Sequence, residues 1–165
     1  MAEREPVASI QPATRIKRFM KILSAAFLQA LVCLTVRAAD TELPAWAMKV
    51  LNERLGTRYE LVQKLVPSFY VGDFNGDGKS DVALLVKEKT TAKVGIAIVE
   101  GGEGKIKIVG AGKSFGNGGD DFNWMDSWSI RHAGKLDRLY VAKSEAASAL
   151  IYWDGSKYKW QQEGD

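Results

Sequence analysis

Cysteine and histidine are nearly missing from this 165-residue chain, which has one of each, Cys33 and His132. One thiol cannot form an intrachain disulfide, and a single imidazole cannot build a histidine-rich zinc site. There is no Gly-x-Ser-x-Gly elbow for a nucleophilic serine. A nucleotide loop is missing too. Gly110-Ala111-Gly112-Lys113-Ser114 ends like one, but Lys107 stands where the first glycine is required, and Phe115-Gly116-Asn117-Gly118-Gly119 breaks the helix that must follow. The chain is therefore expected to be non-enzymatic, with His132 at an exposed strand end. Hydrolysis by two carboxylates needs no local motif and stays open as an alternative.

An excess of one charge is lacking once the amino end is set apart. Of 23 basic and 20 acidic residues, Arg4, Arg15, Lys17, Arg18, Lys21 and Arg37 and only Glu3 and Glu5 precede Asp40. The remainder is close to neutral, so the basic footprint that nucleic acid or an anionic membrane would need is not there. That amino end resembles a secretory signal: Lys17-Arg18-Phe19-Met20-Lys21 is basic, 22–36 is mostly apolar, and Ala38 and Ala39 are small. Cleavage is expected after Ala38 or Ala39, and Met20 is an alternative start. The apolar run is interrupted by Ser24 and Gln29 and falls short of the roughly twenty residues of a membrane span. An uncleaved anchor is the rival reading. Cys33 would leave with the signal, and Val32 before it breaks the lipobox pattern. Residues 1–39 are thus expected to be leader and signal, and 40–165 one periplasmic or secreted domain with no stable membrane span.

What the chain does have is a run of oxygen donors, Asp73-Phe74-Asn75-Gly76-Asp77-Gly78-Lys79-Ser80-Asp81. Carboxylate and amide oxygens fall at loop positions 1, 3, 5 and 9, with a glycine at the bend, a pattern suited to a hard cation that wants about six to eight oxygens. An EF-hand would carry glutamate at position 12 and run on into a helix. Here that position is Leu84, inside the apolar stretch Val82-Ala83-Leu84-Leu85-Val86, which reads as a strand. Ser68-Phe69-Tyr70-Val71-Gly72 also reads as a strand, so the donors sit on a β-hairpin connection. A plain solvated turn is the other reading of the same residues.

Over residues 70–86 the order strand, Gly-Asp-x-Asn-x-Asp-Gly-x-x-Asp, apolar strand resembles the FG-GAP repeat, the calcium-loop unit of integrin α-chain propellers and of VCBS-type secreted bacterial proteins. The resemblance implies Ca2+ held by the side chains of Asp73, Asn75, Asp77 and Asp81 and by the Lys79 carbonyl.

The domain is expected to be α+β and mainly β. Leu43, Trp46, Ala47, Val50, Leu51 and Leu55 recur at helical spacing, with Pro44 at the start and Gly56 at the stop. Residues 59–66 read as either more helix or an edge strand. Strands are expected near 69–72, 82–87, 93–100, 105–110, 128–132, 138–142, 149–153 and 157–161, separated by glycine-rich turns, with Asp154-Gly155 a hairpin signal. The spacing predicts a helix packed on one twisted antiparallel sheet or on a small sandwich. About eight strands are too few for the four-bladed minimum of a propeller, so the arrangement is at most blade-like.

Residues 116–128 mix Asp120, Asp121, Asn123 and Asp126 with Trp124 and Trp128. Carboxylates beside flat aromatic faces could dock a glycan or a protein partner, or a second cation. The alternative is a surface loop whose tryptophans tuck into the core.

Overall fold

A computed structural model describes residues 42–164. The expected leader and signal lie outside them. Helix α1 (Ala45–Arg54) follows Pro44, which occupies the N-cap position and therefore forfeits no helical N–H. It stops at Gly56, whose φ of +42° turns the chain out of the helix.

Nine strands follow among the described residues. β1 (Tyr59–Leu61), β2 (Phe69–Gly72), β3 (Asp81–Glu88), β4 (Val94–Val99) and β5 (Ile106–Gly110) form one antiparallel sheet in which β1 and β2 share the same edge of β3. β6 (Ser127–Ala133), β7 (Leu136–Lys143), β8 (Ala147–Trp153) and β9 (Tyr158–Gly164) form a second antiparallel sheet in sequence order. The single-sheet arrangement is thereby corrected: after β5 the chain passes through two short 3-10 turns, Gly116–Gly118 and Phe122–Trp124, and starts a new ladder. Residues 59–61 resolve as edge strand, not helix. Each expected strand is present with its ends moved by at most a few residues, the fraying of boundaries that hydrogen-bond assignment brings.

Side-chain parity explains the core. Along β3 and β4, Val82, Leu84, Val86, Ala97 and Val99 pack with Ala47, Leu51 and Leu55 of α1. The alternate residues Ala83, Leu85, Ile96 and Ile98 pack with Trp128, Leu139, Val141, Ala149, Ile151 and Tyr158 of the second sheet. Both faces of these two strands are covered, so they read as unbroken apolar runs where a half-exposed strand would alternate. Trp46 rests partly buried on the helix-side cluster.

Candidate metal centre

β2 and β3 pair antiparallel with Gly72 opposite Asp81, which places residues 73–80 on their connection. The loop is built by its own donors and acceptors. Asp73 Oδ1 accepts from the N–H groups of Gly76 at 2.7 Å and Asp77 at 3.1 Å, and Asp73 Oδ2 accepts from Gly78 N–H at 2.9 Å. Asn75 Oδ1 accepts from Asp77 N–H, and Asp77 Oδ1 from Lys79 N–H, each at 2.9 Å. Gly76 and Gly78 both have φ of +79°, the left-handed region in which a side chain would be strained. The sequence thus folds the loop into successive Asx-type turns in which the three side chains cap the loop's own N–H groups.

Asp81 behaves differently. It is fully buried, and its two oxygens accept from Phe74 N–H at 3.0 Å and Gly101 N–H at 2.9 Å. Burial pushes its carboxyl up to about 6, against the pull of those two N–H groups. Asp81 is therefore a brace between the loop and the β4–β5 turn, as well as being the ninth residue of the oxygen pattern. A carboxylate offers about four lone-pair directions, so two N–H bonds leave acceptor capacity over.

The β4–β5 turn lies directly on the loop. A Cβ on Gly102 would come within 3.0 Å of Asp77 Oδ2 and 2.6 Å of Lys79 Nζ. Asn75, Asp77, Glu100, Glu103, Lys105 and Lys107, with Trp153 and Ser156 of the β8–β9 hairpin, line an open cleft of about 360 Å³ in which both signs of charge are present. From the second sheet, Asp137 accepts from Asp73 N–H through Oδ2 at 3.0 Å and returns its own N–H to the Asp73 carbonyl at 2.8 Å. Its other oxygen meets His132 Nδ1 at 2.5 Å. His132 itself is exposed near the end of β6, as expected.

Among the described residues, no three acidic or histidine side chains converge closely enough to form a ready-made metal cluster. Asp73, Asp77 and Asp81 also make no ion pair with lysine or arginine among them. The side chains of Asp73, Asn75, Asp77 and Asp81 offer oxygen donors only, and the Lys79 ammonium is close by, since both it and Asp77 Oδ2 lie within 3.0 Å of the position that a Gly102 Cβ would take.

The 116–128 segment is arranged otherwise. Asp120 pairs with Lys93, Asp121 Oδ1 accepts from Val94 N–H and Asn123 N–H, and Asn123 Oδ1 accepts from Lys64 Nζ at 3.2 Å. Asp126 accepts from the N–H and hydroxyl of Ser144 and pairs with Lys143 at 3.0 Å. Each acid is taken up by a different neighbour, so the segment does not gather them into a second cage. Trp128 is buried with its indole N–H on the Pro67 carbonyl at 2.9 Å. Trp124 is partly buried and meets Trp160 edge to face, ring centroids 6.2 Å apart. These two rings, with Asn117, Lys143, Ser148 and Gln162, line a second cavity of about 450 Å³.

Asp137, Glu100 and Tyr158 are the neighbours of the loop that spacing alone does not reveal. Only Glu100 carries a readable signal, since it continues the inward parity of Ile96 and Ile98. Comparison with protein-family models, with curated proteins and with solved structures gives no match to this chain.

Proposed function

We propose that this is an exported β-domain protein, periplasmic or secreted and non-enzymatic, whose loop 73–81 binds one Ca2+ in a structural role. The observation that supports it is the self-organised loop, in which the oxygens of Asp73, Asn75 and Asp77 cap the loop's own N–H groups and none of its carboxylates forms an ion pair with lysine or arginine among the described residues. The side chains of Asp73, Asn75, Asp77 and Asp81 and the Lys79 carbonyl would hold the ion, which would order the connection between β2 and β3. We read β2, the loop and β3 as one FG-GAP-like unit, and the two sheets that share a buried cluster as a small sandwich.

Extracellular calcium modules bind at about 10⁻⁴ to 10⁻³ M. Millimolar calcium would then stabilise the fold by about 0.4 to 1.4 kcal/mol. A melting-temperature series in calcium chloride against EDTA tests this: the rise should be present in the wild type and absent in Asp77→Ala. An equal rise in both would defeat the proposal.

A second reading is favoured by the cavity between Trp124 and Trp160, where an aromatic wall stands beside amide and hydroxyl groups suited to a glycan or a protein partner. In this reading the metal loop is a remote brace. Trp124→Ala should abolish binding on a glycan array while leaving the calcium response intact. A carboxylate hydrolase would draw on Asp77, Glu100 and Glu103, the acids of the smaller cleft. Asp77 already caps Lys79 N–H within the loop, which favours the structural reading.

A further inference from the structure

The cavity between Trp124 and Trp160 is framed by side chains already fixed in place. The indole N–H of Trp124 donates to the Gly118 carbonyl and that of Trp160 to Gln162 Oε1, each at 3.0 Å. Behind both rings lies Phe122, fully buried, its centroid 6.0 Å from Trp124 and 5.9 Å from Trp160. A Cβ on Gly116 or Gly118 would come within 2.3 or 2.7 Å of the Trp160 side chain, so the loop backbone packs directly on it. The two ring planes meet at 75°, and Ala146, Ala147 and Ser148, at the β7–β8 turn, are too small to fill the corner. A binding surface whose rotamers are set beforehand loses little freedom when a ligand arrives.

Its electrostatics are as defined as its walls. Among the described residues, Lys143 is the one ionisable side chain lining the cavity, and its ammonium is held by Asp126 Oδ2 at 3.0 Å. What is left for a ligand is uncharged. The Asn117 amide and the Ser148 hydroxyl line the same space, and neither side chain makes a hydrogen bond among the described residues.

Size and chemistry then narrow the occupant. A volume of about 450 Å³ falls among small-molecule sites, roughly 300 to 1,000 Å³, whereas a protein partner reads a surface of about 800 Å² on each side. An anionic ligand would find no free cation here, and a wholly apolar one would strip water from the amide and the hydroxyl without replacing its hydrogen bonds. A sugar ring satisfies both kinds of wall: its C–H face lies against indole, and its hydroxyls both donate and accept.

Resting on the glycan reading of this cavity, we infer that its ligand is an uncharged oligosaccharide, one pyranose ring of which enters the corner between Trp124 and Trp160 while Asn117 and Ser148 hydrogen-bond its hydroxyls. The site shares no residue with loop 73–81, so binding needs no metal.

The test is an array carrying neutral gluco-, galacto- and N-acetylated oligosaccharides beside uronate- and sialate-bearing ones, probed in EDTA and in calcium chloride, with titration of the strongest neutral member by tryptophan fluorescence. Neutral members should bind equally in both buffers, and their affinity should hold between about 0.05 and 0.5 M sodium chloride, since no ion pair is made. Asn117→Ala, on an exposed loop, should weaken binding about three- to tenfold, the loss of one hydrogen bond. Ala146→Trp fills the corner from an exposed turn and should abolish binding while both variants keep the wild-type melting temperature, which separates a blocked cavity from misfolding. If only acidic members bind and Ala146→Trp removes them, the inference falls and the cavity remains a glycan site. If nothing binds, or if both variants bind neutral members at full strength, the glycan reading of the cavity falls with it.

Discussion

Asp73 and Asp137 exchange two hydrogen bonds: Asp73 N–H donates to Asp137 Oδ2 at 3.0 Å, and Asp137 N–H donates to the Asp73 carbonyl at 2.8 Å. The first residue of the loop is thereby tied to the start of β7, in the other sheet. Asp137→Ala should leave Asp73 N–H without its acceptor and cost about 1–3 kcal/mol. Urea denaturation in EDTA measures that loss directly, and an unchanged midpoint would show that the tie is dispensable.

Asp81 and Asp77 should separate brace from ligand. In EDTA, Asp81→Ala leaves the N–H groups of Phe74 and Gly101 without their acceptor and should cost about 2–4 kcal/mol. Asp77→Ala removes only an exposed cap on Lys79 and should cost less than about 1 kcal/mol. Equal losses in the two variants would mean that Asp81 does not brace the loop.

Phe122 is fully buried and touches Phe115, Trp124 and Trp160, at centroid distances of 6.5, 6.0 and 5.9 Å. Phe122→Ala should cost about 3–5 kcal/mol through lost burial and the cavity left behind. Urea curves followed by tryptophan fluorescence and by circular dichroism should still coincide, as two-state unfolding requires. A loss below 1 kcal/mol would mean that the aromatic group is not a packed unit.

Asp154 supplies the pH prediction. Bonds from Lys157 N–H and then from the N–H and hydroxyl of Ser156 hold its carboxyl down at about 2. A carboxylate depressed on folding stabilises the protein above its unfolded value near 3.9 and loses that contribution as pH falls toward 2. Asp154→Asn keeps an acceptor for the turn but not the charge. The melting temperature of the wild type should therefore exceed that of the variant at pH 5, and the gap should close between pH 4 and 2. A gap constant with pH would overturn the assignment.

The strands were legible because apolar segments alternate with glycine turns at regular intervals, and because Asp154-Gly155 leaves its flanking strands little choice but to pair. The division into two sheets was not legible. Nothing between Gly110 and Ser127 announces that β6 declines to join β5, a choice made by the packing of Phe122 and Met125 against residues distant in sequence. Residues 59–61 were ambiguous because three residues are too few to display a period. The loop could be read from local spacing, since Asp73, Asn75 and Asp77 act on N–H groups within five residues. Glu100, Asp137 and Tyr158 reach it only through the tertiary fold. The acids of 120–126, which looked like one cluster in the sequence, are separated by where their side chains find partners.

β3 begins at Asp81 and is buried on nearly every residue thereafter. Sliding it by a single position against β4 would exchange Val82, Leu84 and Val86 for Ala83 and Leu85, sending large side chains into the space of small ones on both sides at once. The interior thus acts as an index for the hairpin tip: drift of the oxygen donors along the strand axis is forbidden by residues that never touch them. Mutational scanning of the buried stretch would then perturb ion affinity from a distance, wherever a change of volume loosens the strand's grip on its register.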